Sequence, residues 1–182
     1  MKFFKTLIPD VVVVEPCVFS DARGAFMEAW RSDAFADAGI AATFVQDNHS
    51  FSRQWVLRGL HYQIRQPQGK LVRVTRGEAF DVAVDLRRSS RTFGRWVAAI
   101  LSESNRRMMW VPPGFAHGFL ALSDQVEVMY KCTDYYSPES QRSLRWNDPE
   151  IGIAWPLPPR VEPILSDRDA AASLLTAAET YS

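Results

Sequence analysis

Short runs of alternating apolar and polar residues, cut by turn-forming residues at regular spacing, dominate residues 56–132. The runs Val56–Gln63, Lys70–Val74, Phe80–Leu86, Arg95–Leu101, Met108–Val111, Gly118–Leu122 and Val126–Cys132 all have strand length. Thr75–Gly77, Pro112–Gly114 and Ser123–Asp124 are turn signals between them. A period of two, repeated this often, restricts the chain to a β-sandwich or a barrel. In the third run Phe80, Val82, Val84 and Leu86 share one face, and Asp81, Ala83 and Asp85 share the other. Val11–Val14 adds a β-branched run between Pro9-Asp10 and Pro16. Helical signal is confined to the edges. Ser32–Gly39 offers an N-cap serine, an acidic first turn and a terminal glycine, and the alanine-rich tail Ala170–Thr180 has helical composition.

Size and charge narrow the function classes. At 182 residues the chain suits one domain spanning 1–182, with no linker or repeat dividing it. Lys plus Arg and Asp plus Glu number 21 each, which argues against a general nucleic-acid binder or a polybasic membrane protein. No apolar run reaches secretory or membrane-spanning length. Cys17 and Cys132 are too few for a disulfide framework, so a soluble protein in a reduced, cytoplasmic setting is expected. The glycine-rich loops of ATPases, kinases and dinucleotide enzymes are missing, as are the G-x-S-x-G and H-E-x-x-H motifs.

The histidines are His49, His61 and His117. His117 ends the P-x-G-x-x-H string of Pro112–His117, and His61 follows Gly59 in a strand-like run. This pairing resembles the two halves of the cupin superfamily, and implies an all-β fold: a double-stranded β-helix, or cupin jelly-roll barrel, with short peripheral helices. The usual H-x-H is His61-Tyr62-Gln63 in this chain, which disfavours a metal centre. A histidine base with a carboxylate partner, a lysine and a tyrosine suit a different chemistry: proton abstraction next to a carbonyl.

Seven strings carry a closer likeness, in order from about Phe19 to Asp169. They are Asp21–Glu28, Gln46–Ser50, Leu57–Gln63, Gln68–Val74, Pro113–Phe119, Tyr130–Tyr136 and Leu165–Asp169. Together they resemble the dTDP-4-dehydrorhamnose 3,5-epimerase family. The resemblance implies an isomerase acting on dTDP-4-dehydro-6-deoxy-D-glucose without cofactor or metal. It makes His61 the base, Asp169 its dyad partner, Lys70 the enolate stabiliser and Tyr130 the acid on the opposite face. It carries over Arg23, Glu28, Gln46, Asp47, Asn48, Arg58, His117, Tyr136, Gln141 and Arg168 as substrate-binding residues. Arg23 and Arg58 suit the diphosphate, and Tyr136 matches the ring that stacks on thymine. Family members are similar in being homodimers, with a segment of one subunit reaching the other's site. The chain departs from the pattern at two positions: Gln141 replaces a glutamate and Arg168 a lysine.

Each residue also has a structural reading. Ser166-x-x-Asp169 resembles a helix-capping box, which would occupy Asp169 locally. Tyr130 lies on an alternating apolar face and fits core packing. The run Gln46–Asn48 fits an exposed polar loop. Arg58 falls on the face opposite His61 in an ideal strand, so both serve one site only through a bulge or a contact with a partner subunit. Competing functions are a mono-epimerase of C3 or C5, a ketoisomerase on the same scaffold, a metal-dependent oxygenase and a non-catalytic nucleotide-sugar sensor.

Overall fold

A computed structural model describes residues 1–182. In chain order its elements are β1 (Lys2–Lys5), β2 (Val12–Glu15), β3 (Val18–Asp21), β4 (Gly24–Met27), α1 (Ser32–Asp37), β5 (Gln46–Arg53), β6 (Leu57–Gln63) and β7 (Lys70–Arg76). Then follow β8 (Glu78–Asp85), β9 (Trp96–Ser102), β10 (Met108–Val111), β11 (Phe115–Ala121), β12 (Gln125–Cys132), β13 (Gln141–Ser143) and α2 (Asp167–Ala170). One sheet runs β1-β2-β10-β7-β12-β5, and the other runs β13-β6-β11-β8-β9. Every pairing within them is antiparallel. The strand order jumps between distant parts of the sequence, as a jelly roll requires. The hairpin β3–β4 pairs with neither sheet.

Apolar packing occurs in three layers. Between the sheets lie Val72, Val74, Phe115, Phe119, Val126 and Val128 with their neighbours. Behind the five-stranded sheet, Leu60, Val82, Val84 and Leu86 pack under the chain's last third through Leu144, Ile151, Leu175 and Ala178. Behind the six-stranded sheet, Val12, Val14, Leu71, Met108 and Trp110 pack under Phe35 and Ile40. Burying each large side chain contributes about 1.5–3 kcal/mol. Both sheets are therefore covered outside, and the apolar face of Phe80–Leu86 packs outward. Its polar face, with Asp81 and Asp85 almost fully buried, looks into the barrel.

Two helical expectations change. Ser32 is the first residue of α1 rather than its cap: Arg31 occupies the cap position and makes no side-chain cap bond. Asp33 serves the first turn instead, accepting the Ala34 N–H at 2.6 Å. The tail forms only the single turn α2 and a 3₁₀ turn at Leu175–Ala177. It stays extended because it forms β-bridges from Ser173 to Leu144 and from Tyr181 to Arg87, which bury Leu175 and Ala178. Tertiary packing overrides alanine's propensity here. The polar run Gln46–Arg53 is a full strand, paired residue by residue with β12 from Gln46↔Cys132 to Arg53↔Gln125.

Candidate active site

One end of the barrel interior is polar. Strand alternation aims Gln46 and Asn48 of β5, His61 and Gln63 of β6, Lys70 of β7 and Tyr130 of β12 into it. These six residues, with Tyr62, Gln68, Tyr136 and Gln141, line a cleft of about 200 Å³. A second cleft of about 440 Å³, which includes Arg58, Arg168 and Asp169, adjoins it and shares His61 and Gln141. Together they fall in the size range of small-ligand sites.

His61 and Asp169 meet across 108 residues of sequence. Their ring nitrogen and carboxylate oxygen stand 2.6 Å apart, with the Asp169 side chain 4% exposed and that of His61 32%. Burial alone would raise the Asp169 pKa. The hydrogen bond and charge of His61 outweigh it, helped by the Gly59 N–H, and hold the carboxyl below its ordinary range. An ionised acceptor fixes the proton on the bonded ring nitrogen, which leaves a lone pair on the other. Ser166 does cap α2, accepting the Asp169 N–H at 3.2 Å. The Asp169 carboxylate does not close a capping box; it crosses to β6 instead.

Lys70 is buried, and its ammonium reaches only the His61 carbonyl oxygen, at 3.4 Å. Burial pushes its pKa down; the nearby Cys132 thiol and Asp81 carboxylate oppose that shift. A desolvated cation without a close anion stabilises negative charge that develops beside it. Burial raises the Tyr130 pKa, which keeps that phenol protonated at neutral pH. Base, cation and acid therefore line one cleft.

Arg58 joins His61 in the adjoining cleft through a bulge. Strand β11 pairs His117 with His61 but Phe119 with Arg58, so β6 carries one extra residue at Gly59-Leu60. The extra residue inverts the alternation and places Arg58 on the His61 side. Its guanidinium donates to Ser52 Oγ at 3.0 Å and to the Phe51 carbonyl at 2.9 Å. The bulge needs small residues: a Cβ on Gly59 would lie 2.6 Å from Gly118 Cα.

His117 lies deeper in the barrel, 2.8 Å from Asp81 Oδ1. Asp81 Oδ2 is buried without a partner, a cost that structural proteins avoid and functional sites accept. Nothing in the sequence marks Asp81 as functional, since an acid at one position of an alternating β-strand is an unspecific signal. Gln46 donates to Asn48 at 3.1 Å, and Asn48 to Cys132 Sγ at 3.4 Å. Gln141 Oε1 accepts from Tyr136 Oη at 2.5 Å and from Arg168 Nη1 at 2.6 Å.

Besides His117, three expected binding residues line neither cleft. Asp47 points to the outer face of its sheet, where Lys131 pairs with it at 3.0 Å. Alternation requires this, since Gln46 and Asn48 point inward. Arg23 sits at the tip of the β3–β4 hairpin, 90% exposed, and pairs with Asp21 at 2.6 Å. Glu28 follows that hairpin, 3.6 Å from Arg31. Gln63, the last residue of the His61-Tyr62-Gln63 string, spends its amide on backbone groups. No three His, Cys, Asp or Glu side chains gather in a metal-holding group. No helix is long and apolar enough to cross a membrane.

Comparison with known proteins shows the family. The family model for dTDP-4-dehydrorhamnose 3,5-epimerase matches residues 5–177. A protein of that name from Pseudomonas aeruginosa is 54% identical over 182 residues, covering 100% of this chain and 99% of the relative. Another, from Salmonella typhimurium, is 54% identical over 177 residues and covers 96% of both chains. A solved dTDP-6-deoxy-D-glucose-3,5-epimerase from Legionella pneumophila, in complex with dTDP-4-keto-L-rhamnose, superposes with a TM-score of 0.94 at 49% identity. That match covers 98% of this chain and 94% of the solved one. Matched by the family model over residues 5–177 and by relatives about half identical over nearly its whole length, the chain belongs to the dTDP-4-dehydrorhamnose 3,5-epimerase family.

Proposed function

We propose that this protein, as a single-domain enzyme, epimerises dTDP-4-dehydro-6-deoxy-D-glucose at C3 and C5 to give dTDP-4-dehydro-L-rhamnose. The convergence of His61, Lys70 and Tyr130 on one cleft carries the reading. Both carbons flank the C4 ketone, so loss of either proton places the electron pair on the C4 oxygen as an enolate. His61 takes the proton, with Asp169 holding the ring and stabilising the imidazolium. The Lys70 ammonium stabilises the enolate oxygen. Because Lys70 makes no salt bridge beforehand, its interaction is stronger in the transition state than in the ground state. Tyr130 returns a proton from the opposite face, which inverts the carbon. Both groups then exchange protons with water, and the cycle repeats at the second carbon.

Arg58 and Arg168 are matched to the diphosphate by their planar guanidinium donors. Gln46, Asn48, His117 and Gln141 contribute hydrogen bonds, and Tyr136 offers a ring to the base. Arg23 and Glu28 serve the site from a second subunit of a homodimer. The hairpin that carries Arg23 is unpaired and exposes Phe19 and Phe26, as an arm destined for another surface would. Asp47 acts through its strand rather than its carboxylate.

Incubation with this substrate in heavy water, followed by proton NMR and mass spectrometry, tests the reading. Two deuterons, at C3 and C5 of an inverted sugar, are expected. One deuteron would mean a mono-epimerase. No deuteron in a protein that still binds dTDP would overturn the mechanism.

A further inference from the structure

Gln63 lies two residues beyond His61 on the same strand, is 3% exposed, and has no part in the chemistry above. All its polar capacity goes to backbone. Its Nε2 donates to the Gln66 carbonyl at 2.8 Å and to the Tyr135 carbonyl at 3.2 Å, and its Oε1 accepts the Ser137 N–H at 2.8 Å. Two of these three bonds bracket Tyr136. Residues 134–137 have no helix or strand to hold them. Glutamine side chains do so instead. Gln68 donates to the Asp134 carbonyl at 2.8 Å, and Gln46 accepts the Tyr136 N–H at 2.9 Å. Gln141 accepts the Tyr136 hydroxyl. All four glutamines line the cleft that holds His61.

We propose that Gln63 is a positioning residue that sets the Tyr136 ring as a fixed wall of the cleft for the planar base of the nucleotide. The proposal rests on the reading of Tyr136 as a base contact given above. A wall held by a buried amide is ordered before the ligand arrives, so binding does not have to order it. The amide donates twice and accepts at once, which no other side chain of its shape does. It is also uncharged, so the clamp is insensitive to pH. Through Gln63 the binding wall hangs from the strand that carries the base, which ties the two in register.

The experiment uses the full chain with Gln63→Met, Tyr136→Ala and the double variant, each checked for folding by thermal melting. Affinity for dTDP is measured by calorimetry, and KM and kcat by turnover. Gln63→Met is expected to weaken dTDP binding and raise KM by about tenfold, with a smaller change in kcat. In the Tyr136→Ala background the same substitution should add little, because both act through one ring. Unchanged dTDP affinity, or losses that simply add in the double variant, overturns the proposal. Gln63→Glu provides a second readout if Gln63→Met does not fold. Its carboxylate opposes two carbonyl oxygens, whereas the protonated acid donates to one and accepts from Ser137. Binding by Gln63→Glu should improve as pH falls, relative to the unsubstituted protein; parallel pH profiles overturn the proposal. Calorimetry with dTDP needs no turnover, so failure of the epimerase reading leaves this test intact.

Discussion

Lys70 shows how a residue that weakens the fold can serve the site. Its ammonium is buried and meets one carbonyl oxygen at 3.4 Å. Burial lowers its pKa below the ordinary lysine value. The folded chain thus binds the Lys70 proton less tightly than the unfolded chain does. The cost to stability is full below the lowered pKa and fades as pH rises from there toward the unfolded value. Lys70→Met should therefore melt at a higher temperature than the natural protein at neutral pH, with the difference shrinking at alkaline pH. The same variant should lose about 10²–10³ in kcat through the missing enolate partner. Equal melting temperatures at pH 7 would contradict this account of Lys70. Asp169 behaves in the opposite sense. Its carboxyl is held below the ordinary range despite burial, so its contribution is present above that range and disappears as pH falls through the lowered value. Asp169→Asn should lower kcat by about 10²–10⁴ while changing KM little. In urea titrations between pH 7 and pH 3, the stability gap between this variant and the natural protein should close at the acid end.

Among the elements, the bulge in β6 decides whether Arg58 shares a cleft with His61. Arg58 and His61 are three residues apart, which in a regular strand puts them on opposite faces. The extra residue at Gly59-Leu60 brings them to one face. The bulge is possible because β6 and β11 approach through two glycines. A Cβ on Gly118 would stand 2.7 Å from the Arg58 carbonyl oxygen and 3.0 Å from Leu60 Cδ2. Gly118→Ala should cost about 1–3 kcal/mol as overpacking, read as a lower urea midpoint. It should also lower activity, because the strand that moves carries His61. The helix α2 adds a second example of local and distant demands meeting in one residue. Its cap at Ser166 uses only the Asp169 backbone, which frees the Asp169 carboxylate for His61.

At the scale of the whole molecule, the chain leaves two of its expected binding residues, Arg23 and Glu28, on an arm away from the cleft. The β3–β4 hairpin carries Phe19 at 62% and Phe26 at 71% exposure and pairs with no other strand. If the arm serves a second subunit, His61→Asn and Arg23→Ala damage different parts of each site. In a mixed dimer, one site then has an intact His61 from one chain and an intact Arg23 from the other. Each variant alone should be strongly impaired. Co-expression at equal levels should restore about a quarter of the sites, since random mixing makes half the dimers mixed and repairs one site in each. Activity no higher than the average of the two variants would place Arg23 outside any shared site.

The all-β class is legible in the sequence, because a two-residue period between turn signals is a local property that suits sheets and not helices. Through the family resemblance the sequence also pointed to His61, Lys70, Tyr130 and Asp169 as candidates, residues far apart in the chain. Other features had no local signature. The alternation in Phe80–Leu86 defines two faces without saying which looks inward; packing under the chain's last third sent the apolar face outward and left Asp81 inside. The alanine-rich tail looked helical, but it gains more by burying Leu175 and Ala178 against β8 and β6 than by forming its own hydrogen bonds. Gln63 reads in the sequence as a lost metal ligand. Only the fold, by bringing residues 135 and 137 beside it, makes it a clamp. Short-range periodicity sets which elements form. Contacts across more than 60 residues decide which face is inside and which side chains meet, and that information exists only once the sheets have closed.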